Sequence, residues 1–166
     1  MRRLFILLIM FCLSVANADE VTAKIISCGI FTVPNKHRIQ EVPEAFSGTV
    51  RIYKGLPTLE IATNQIPAKI GTDFGFIYKI SNLPLKDGEE VELVKAVNNP
   101  GIKKPDGKTS QTSEWKLKKV VMDGCVVDYS GFGFDYDYEL VPGVWKFEIK
   151  YKGKAVCTQT FTVVEK

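Results

Sequence analysis

Apolar and polar residues alternate along most of this chain, with the period of half-buried strands rather than of helices. In GVWKFEIKY, Trp145, Phe147, Ile149 and Tyr151 share one parity while Lys146, Glu148 and Lys150 share the other. Lys152-Gly153-Lys154 follows, where glycine can take the positive φ of a tight turn. AVCTQTFTVV then sets Ala155, Cys157, Gln159, Phe161 and Val163 on one side. The pattern predicts that the chain closes with a hairpin buried on one face. Upstream, FGFIYKI aligns Phe74, Phe76, Tyr78 and Ile80, and VELVKAV aligns Val91, Leu93 and Val97. Pro84 and Asp87-Gly88 between them predict a second hairpin. EWKLKKVVM, with Trp115, Leu117 and Val121 on a common side, and TVRIY, around Val50 and Ile52, supply further strands.

Two stretches break the regularity. NNPGIKKPDGKTSQTS, from Asn98 to Ser113, holds two prolines and two glycines among polar residues and reads as a long exposed loop. In VTAKIISCGIFTV, Ile25, Ile26, Ile30 and Phe31 fall on both faces, as in a strand buried on both sides or bulged at Gly29. Taken together, about seven to nine short antiparallel strands with frequent turn signals predict an all-β, immunoglobulin-like β-sandwich. A closed barrel is the alternative, because the pattern does not count sheets.

GFGFDYDYEL puts Phe132, Phe134, Tyr136, Tyr138 and Leu140 on one parity and Asp135, Asp137 and Glu139 on the other. A strand with rings inward and carboxylates outward accounts for it. A cation site is the functional alternative, but carboxylates on alternate strand residues stand roughly 7 Å apart, too far for all three to hold one ion without loop ligands such as Asp128. A paired-carboxylate site would also fit that spacing, at roughly 5 to 9.5 Å, as would most acidic strands.

Composition and the first residues place the chain. Arg2 and Arg3 precede an apolar run from Leu4 to Val15 and then Ala16-Asn17-Ala18, the order of a secretory signal peptide. We therefore expect residues 1–18 to be a signal peptide cleaved after Ala18 and residues 19–166 to form a single domain, leaving no transmembrane anchor. Cys12 lies inside the apolar run after Phe11, which argues against lipidation. Loss of Arg2 and Arg3 lowers the net charge from +3 to +1, so the balance gives no reason to expect nucleic acid. Export permits disulfides. Of the remaining Cys28, Cys125 and Cys157, at most two can pair within the chain, and Cys125–Cys157 and Cys28–Cys157 both stay open.

Recognisable chemistry is sparse. His37 in PNKHRIQE is the only histidine, the cysteine spacings fit no zinc or Cys-x-x-Cys motif, and no nucleophile elbow or phosphate-binding glycine loop occurs. No cofactor is implied. The densest basic region joins Lys103, Lys104 and Lys108 to Lys116, Lys118 and Lys119 beside Trp115. Lysines also guard exposed strand edges.

TDFGFIYKI, NNPGIKKPDGK and above all YELVPGVWKFEIKYKGKAVCTQTFTV resemble a bacterial family classed as domain of unknown function 3859. That resemblance implies a compact β-sandwich and brings no activity, cofactor or catalytic residue with it. The first expectation is an exported, periplasmic or secreted, non-catalytic module that binds a protein partner, with Lys103, Lys104, Lys108, Lys152 and Lys154 as candidate contacts. A small inhibitor of a secreted hydrolase is the second. A metal binder or enzyme using Asp135, Asp137 and Glu139 is the third.

Overall fold

The computed structural model describes residues 20–35 and 37–165; the expected signal peptide lies outside the described residues. The described residues form eleven strands: Thr22–Thr32 (β1), His37–Glu41 (β2), Thr49–Tyr53 (β3), Thr58–Ala62 (β4), Gln65–Pro67 (β5), Asp73–Ser81 (β6), Glu90–Lys103 (β7), Thr109–Val120 (β8), Cys125–Gly133 (β9), Gly143–Tyr151 (β10) and Lys154–Val164 (β11). One sheet runs β4-β1-β6-β9, a second runs β5-β11-β10-β7-β8, and β2-β3 is a separate ribbon. The immunoglobulin-like sandwich expected from the alternation is therefore present, with more strands than foreseen and with one parallel pair, β5 on β11.

Phe74 is the centre of the core between the sheets. Its ring meets Phe132, Phe134, Trp145, Phe147 and Phe161 at centroid distances of 5.2 to 6.4 Å, mostly edge to face. That geometry lets the positive ring edge meet the negative face while burying large apolar area. Trp145 is fully buried, and its indole N–H donates to the Val141 carbonyl at 3.0 Å, so no polar atom is stranded. The closing hairpin forms as the pattern predicts: Lys152 and Gly153 both take positive φ, 47° and 78°, and Tyr151 faces Lys154 across the turn.

Several expectations change. FGFIYKI and VELVKAV do not make a hairpin, because β6 and β7 belong to different sheets and SNLPLKDGEE crosses between them. The Asn98–Ser113 stretch is mostly strand rather than loop. β7 and β8 pair as far as Lys103↔Thr109, and the proline and glycine sit in a bulge between Asn98 and Ile102. Asn99 makes that bulge tolerable, since its Oδ1 accepts from the backbone N–H groups of Gly101 and Ile102 at 2.7 and 3.0 Å. The β1 irregularity is a bulge, with the register on β6 shifting between Ile25 and Ser27 and that on β4 between Ile30 and Phe31. Gly29 is required there: a Cβ on it would lie 1.9 Å from the Ile61 carbonyl oxygen.

The two flanks of the sandwich differ. On one, the chain leaves β4 of the first sheet and enters β5 of the second through Thr63-Asn64, and Thr162 N–H donates to the Asn64 carbonyl at 2.8 Å, which staples the sheets together. On the other, β8 and β9 are both edge strands and are connected only at one end through Val121–Gly124, so that flank is open. Truncating the core centre, Phe74→Ala, is expected to cost about 3–5 kcal/mol. Urea unfolding of residues 19–166 checks it, and a loss below about 1 kcal/mol would remove Phe74 from that position.

A cleft at the open flank

The β2–β3 ribbon lies over the open flank. Its tip, Val42–Gly48, buries Phe46 against Phe132 with centroids 6.1 Å apart, and Ser113 Oγ donates to the Glu44 carbonyl at 2.6 Å. Further along, Arg51 pairs with Asp73 at 3.4 Å and with Asp135. Burial opposes the Arg51 charge, but Tyr53 and Asp135 more than offset it and hold the guanidinium above its ordinary value. Burial pushes the Asp73 carboxyl up, with Arg51 pulling the other way. Between ribbon and sandwich is a cleft of about 1170 Å³, lined by β3, by residues 115–119 of β8, and by β9.

An ionic cluster stands on the floor of this cleft. Along β7, Lys95 shares the inward parity of Val91, Leu93 and Val97, and along β8, Lys119 shares that of Trp115, Leu117 and Val121. Both reach Asp128 of β9, Lys119 Nζ at 2.9 Å and Lys95 Nζ at 3.6 Å, and the Tyr78 hydroxyl donates to the same carboxylate at 3.3 Å. Lys95 Nζ also donates to the Tyr129 carbonyl on the free side of β9. Burial alone would push the Asp128 carboxyl up; the two lysines outweigh it and hold it below its ordinary value. Burial pulls the Lys95 ammonium down, and Asp128 restores only part. Asp128 thus bridges the two sheets across the open flank. Sequence reasoning missed this set, although the signal was legible as a lysine at a core parity in each of two strands.

The stretch GFGFDYDYEL is not the one continuous strand with its carboxylates outward that the pattern predicts. β9 ends at Gly133, and Asp137–Glu139 is a turn of 3-10 helix. Glu139 does not point outward: it is 3% exposed, and its Oε2 accepts from the backbone N–H groups of Asp135 and Tyr136 at 2.7 and 3.1 Å. Tyr136 is exposed and stacks on Tyr138 at 5.2 Å, whereas Asp135 is taken up by Arg51. Glu139 and Asp135 are therefore engaged by different partners, Asp137 lies in the 3-10 turn between them, and the three carboxylates do not converge. Among the described residues no group of three His, Cys, Asp or Glu is placed to hold a metal.

The candidate lysines are also separated. Lys103, Lys104 and Lys108 sit at the β7–β8 tip, and Lys152 and Lys154 at the β10–β11 turn. Because Lys150 pairs with Val94 and Lys146 with Asn98, that turn is at the opposite end of β7, on the order of 25 Å away by strand rise. They cannot form one patch. Lys116 and Lys118 pair with Glu92 and Glu90 at 2.9 and 3.2 Å, which neutralises the lysine face of β8 where it borders the cleft. His37 is exposed at the start of β2 and meets the Tyr53 ring at 5.9 Å. Cys28, Cys125 and Cys157 are free thiols, so neither expected bridge is formed. Cys125 opens β9 in one sheet, its Sγ directed to the Met122 carbonyl at 3.3 Å, whereas Cys157 is packed in β11 of the other.

Fold and cleft define the class: an immunoglobulin-like β-sandwich whose open flank is roofed by a β-ribbon. Residues 19–163 match the family described as Domain of unknown function (DUF3859), and the chain belongs to that family. Among solved structures it is similar to an immunoglobulin-like protein from Pseudomonas aeruginosa, with 21% identity and a TM-score of 0.59 over 89% of this chain and 99% of that one. A weaker likeness, TM-score 0.39 and 9% identity over 60% of this chain and 27% of the other, is to a Pseudomonas fluorescens alkylpurine DNA glycosylase bound to DNA containing an abasic site analogue. No curated protein matches the sequence. No helix among the described residues is long and apolar enough to cross a membrane.

The Asp128 cluster fixes a pH dependence. A carboxyl with a depressed folded-state pKa contributes stability above its unfolded value near 3.9, and that contribution is lost as pH falls through the folded value. Asp128→Asn is expected to destabilise the domain by about 3–5 kcal/mol at neutral pH, because the largely buried Lys95 and the partly exposed Lys119 lose their shared partner. It should also flatten the acid limb of a stability–pH profile. An unchanged limb would show that Asp128 is not the group responsible.

Proposed function

We propose that this protein is an exported, non-catalytic binding module that takes a protein partner in the ribbon-roofed cleft. The observation carrying this reading is the open flank. Two edge strands leave unpaired backbone N–H and C=O groups beside a cleft whose walls include Trp115, Tyr53 and Tyr138. Free edges supply main-chain hydrogen bonds to an added strand, and aromatic side chains supply most of the energy in the interfaces they enter. The ribbon supports the reading too, since among the described residues no sandwich strand is hydrogen-bonded to it as a neighbour and it is anchored by its tip and by Arg51. The leader-like residues 1–18 support export.

The tip lysines remain a second surface to compare. Tagged mature protein is incubated with envelope and extracellular fractions of its own cells, and the captured partner's affinity is measured for two variants. Trp115→Ala is expected to weaken it about 30-fold, the effect of losing one central aromatic contact. The triple change Lys103→Glu, Lys104→Glu, Lys108→Glu should leave it within about threefold. The reverse order would move the binding surface to the β7–β8 tip.

A further inference from the structure

We infer that the cleft reads an acidic side chain of an extended polypeptide, with Lys119 and Lys95 as the groups that receive its carboxylate. This inference rests on the cleft being the binding surface and adds the chemistry of its occupant. Two ammonium groups share one carboxylate, Asp128, on the cleft floor. Glu92, another acid at the cleft, is engaged by Lys116 at 2.9 Å. One positive charge is thus uncompensated where the dielectric is low, so a ligand carboxylate arriving there gains more than at the surface. Access is available: the Lys119 side chain is 34% exposed, while those of Lys95 and Asp128 are 15% and 14% exposed. At the far end of the cleft the balance is reversed, with Arg51 facing both Asp73 and Asp135.

A polypeptide fits better than a small anion. Residues 115–119 of β8 run along the cleft with one edge unpaired, and an added strand would place alternate side chains toward the floor and toward solvent. An acidic residue at one inward position would then face Lys119 and Lys95, beside Leu117 and Trp115, while the strand edge holds the backbone.

The test uses the mature protein, labelled with nitrogen-15, and three capped octapeptides that alternate valine with glutamate, glutamine or lysine. The glutamate peptide should shift the amide resonances of residues 115–119 and 49–53, and bind at least tenfold more tightly than the glutamine peptide. The lysine peptide should not bind. Lys119→Met should weaken the glutamate peptide at least tenfold, and Asp128→Asn, which raises the cationic surplus, should tighten it. A purely structural cluster would give loosening in both variants. Should Asp128→Asn fail to fold, the partly exposed Lys119→Met decides alone. Equal binding of the glutamate and glutamine peptides at these residues would overturn the carboxylate assignment while leaving the cleft as a binding surface. Glutamate-peptide shifts confined to residues 103–108 or 152–154 would overturn both. Binding of an oligogalacturonate but of no peptide would overturn the polypeptide assignment.

Discussion

The contact of Lys95 and Lys119 with Asp128 is the interaction on which the two-sheet arrangement at the open flank depends. The opposite flank is closed by the chain itself, which passes from β4 to β5 and so belongs to both sheets. Here no strand among the described residues crosses, and the gap between β8 and β9 is spanned by side chains instead. An ion contact in such a place is a poor route to stability, since desolvation consumes much of the Coulomb gain. Apolar residues of similar size would pack the flank at least as well. What the charged set does provide is a wall that stays polar and leaves room for the ribbon to stand off from the sandwich.

The aromatic core makes this arrangement affordable. Phe74 and the rings around it sit toward the Gly133–Gly143 end, where the sheets are held by dense apolar contact. The polar flank therefore need not carry the fold. The ribbon uses both: Phe46 is seated on Phe132 of the core, and Arg51 is tied to Asp73 and Asp135 outside it. One tip and one charged tie hold a strand pair whose β2 face is wholly exposed.

The alternation made the sandwich and its closing hairpin legible, because Trp145, Phe147 and Ile149 against Phe161 and Val163 admit no other reading with period two. Long β7 and β8 were hidden by Pro100-Gly101, which normally punctuate chains, and Asn99, with Gln111 Nε2 donating to the Pro100 carbonyl, supplies hydrogen bonds that let a strand continue past them. GFGFDYDYEL deceived in the opposite way. Its parity is perfect, yet a single carboxylate, Glu139, folds back onto two backbone N–H groups and ends the strand. Sheet assignment was beyond the pattern, so β6 and β7 were joined wrongly. The cleft could have been suspected from Lys95 and Lys119 at inward positions, but their common partner, Asp128, becomes visible only when three strands from two sheets are brought together.

The most direct measurement places a photo-reactive phenylalanine analogue, one position at a time, at Ile39 and Lys118 in the cleft and at Lys104 and Lys152 at the two hairpin tips, and irradiates intact cells. Binding in the cleft predicts a discrete protein adduct from Ile39 and Lys118 and none from Lys104 or Lys152. Adducts from the tip positions alone would contradict it.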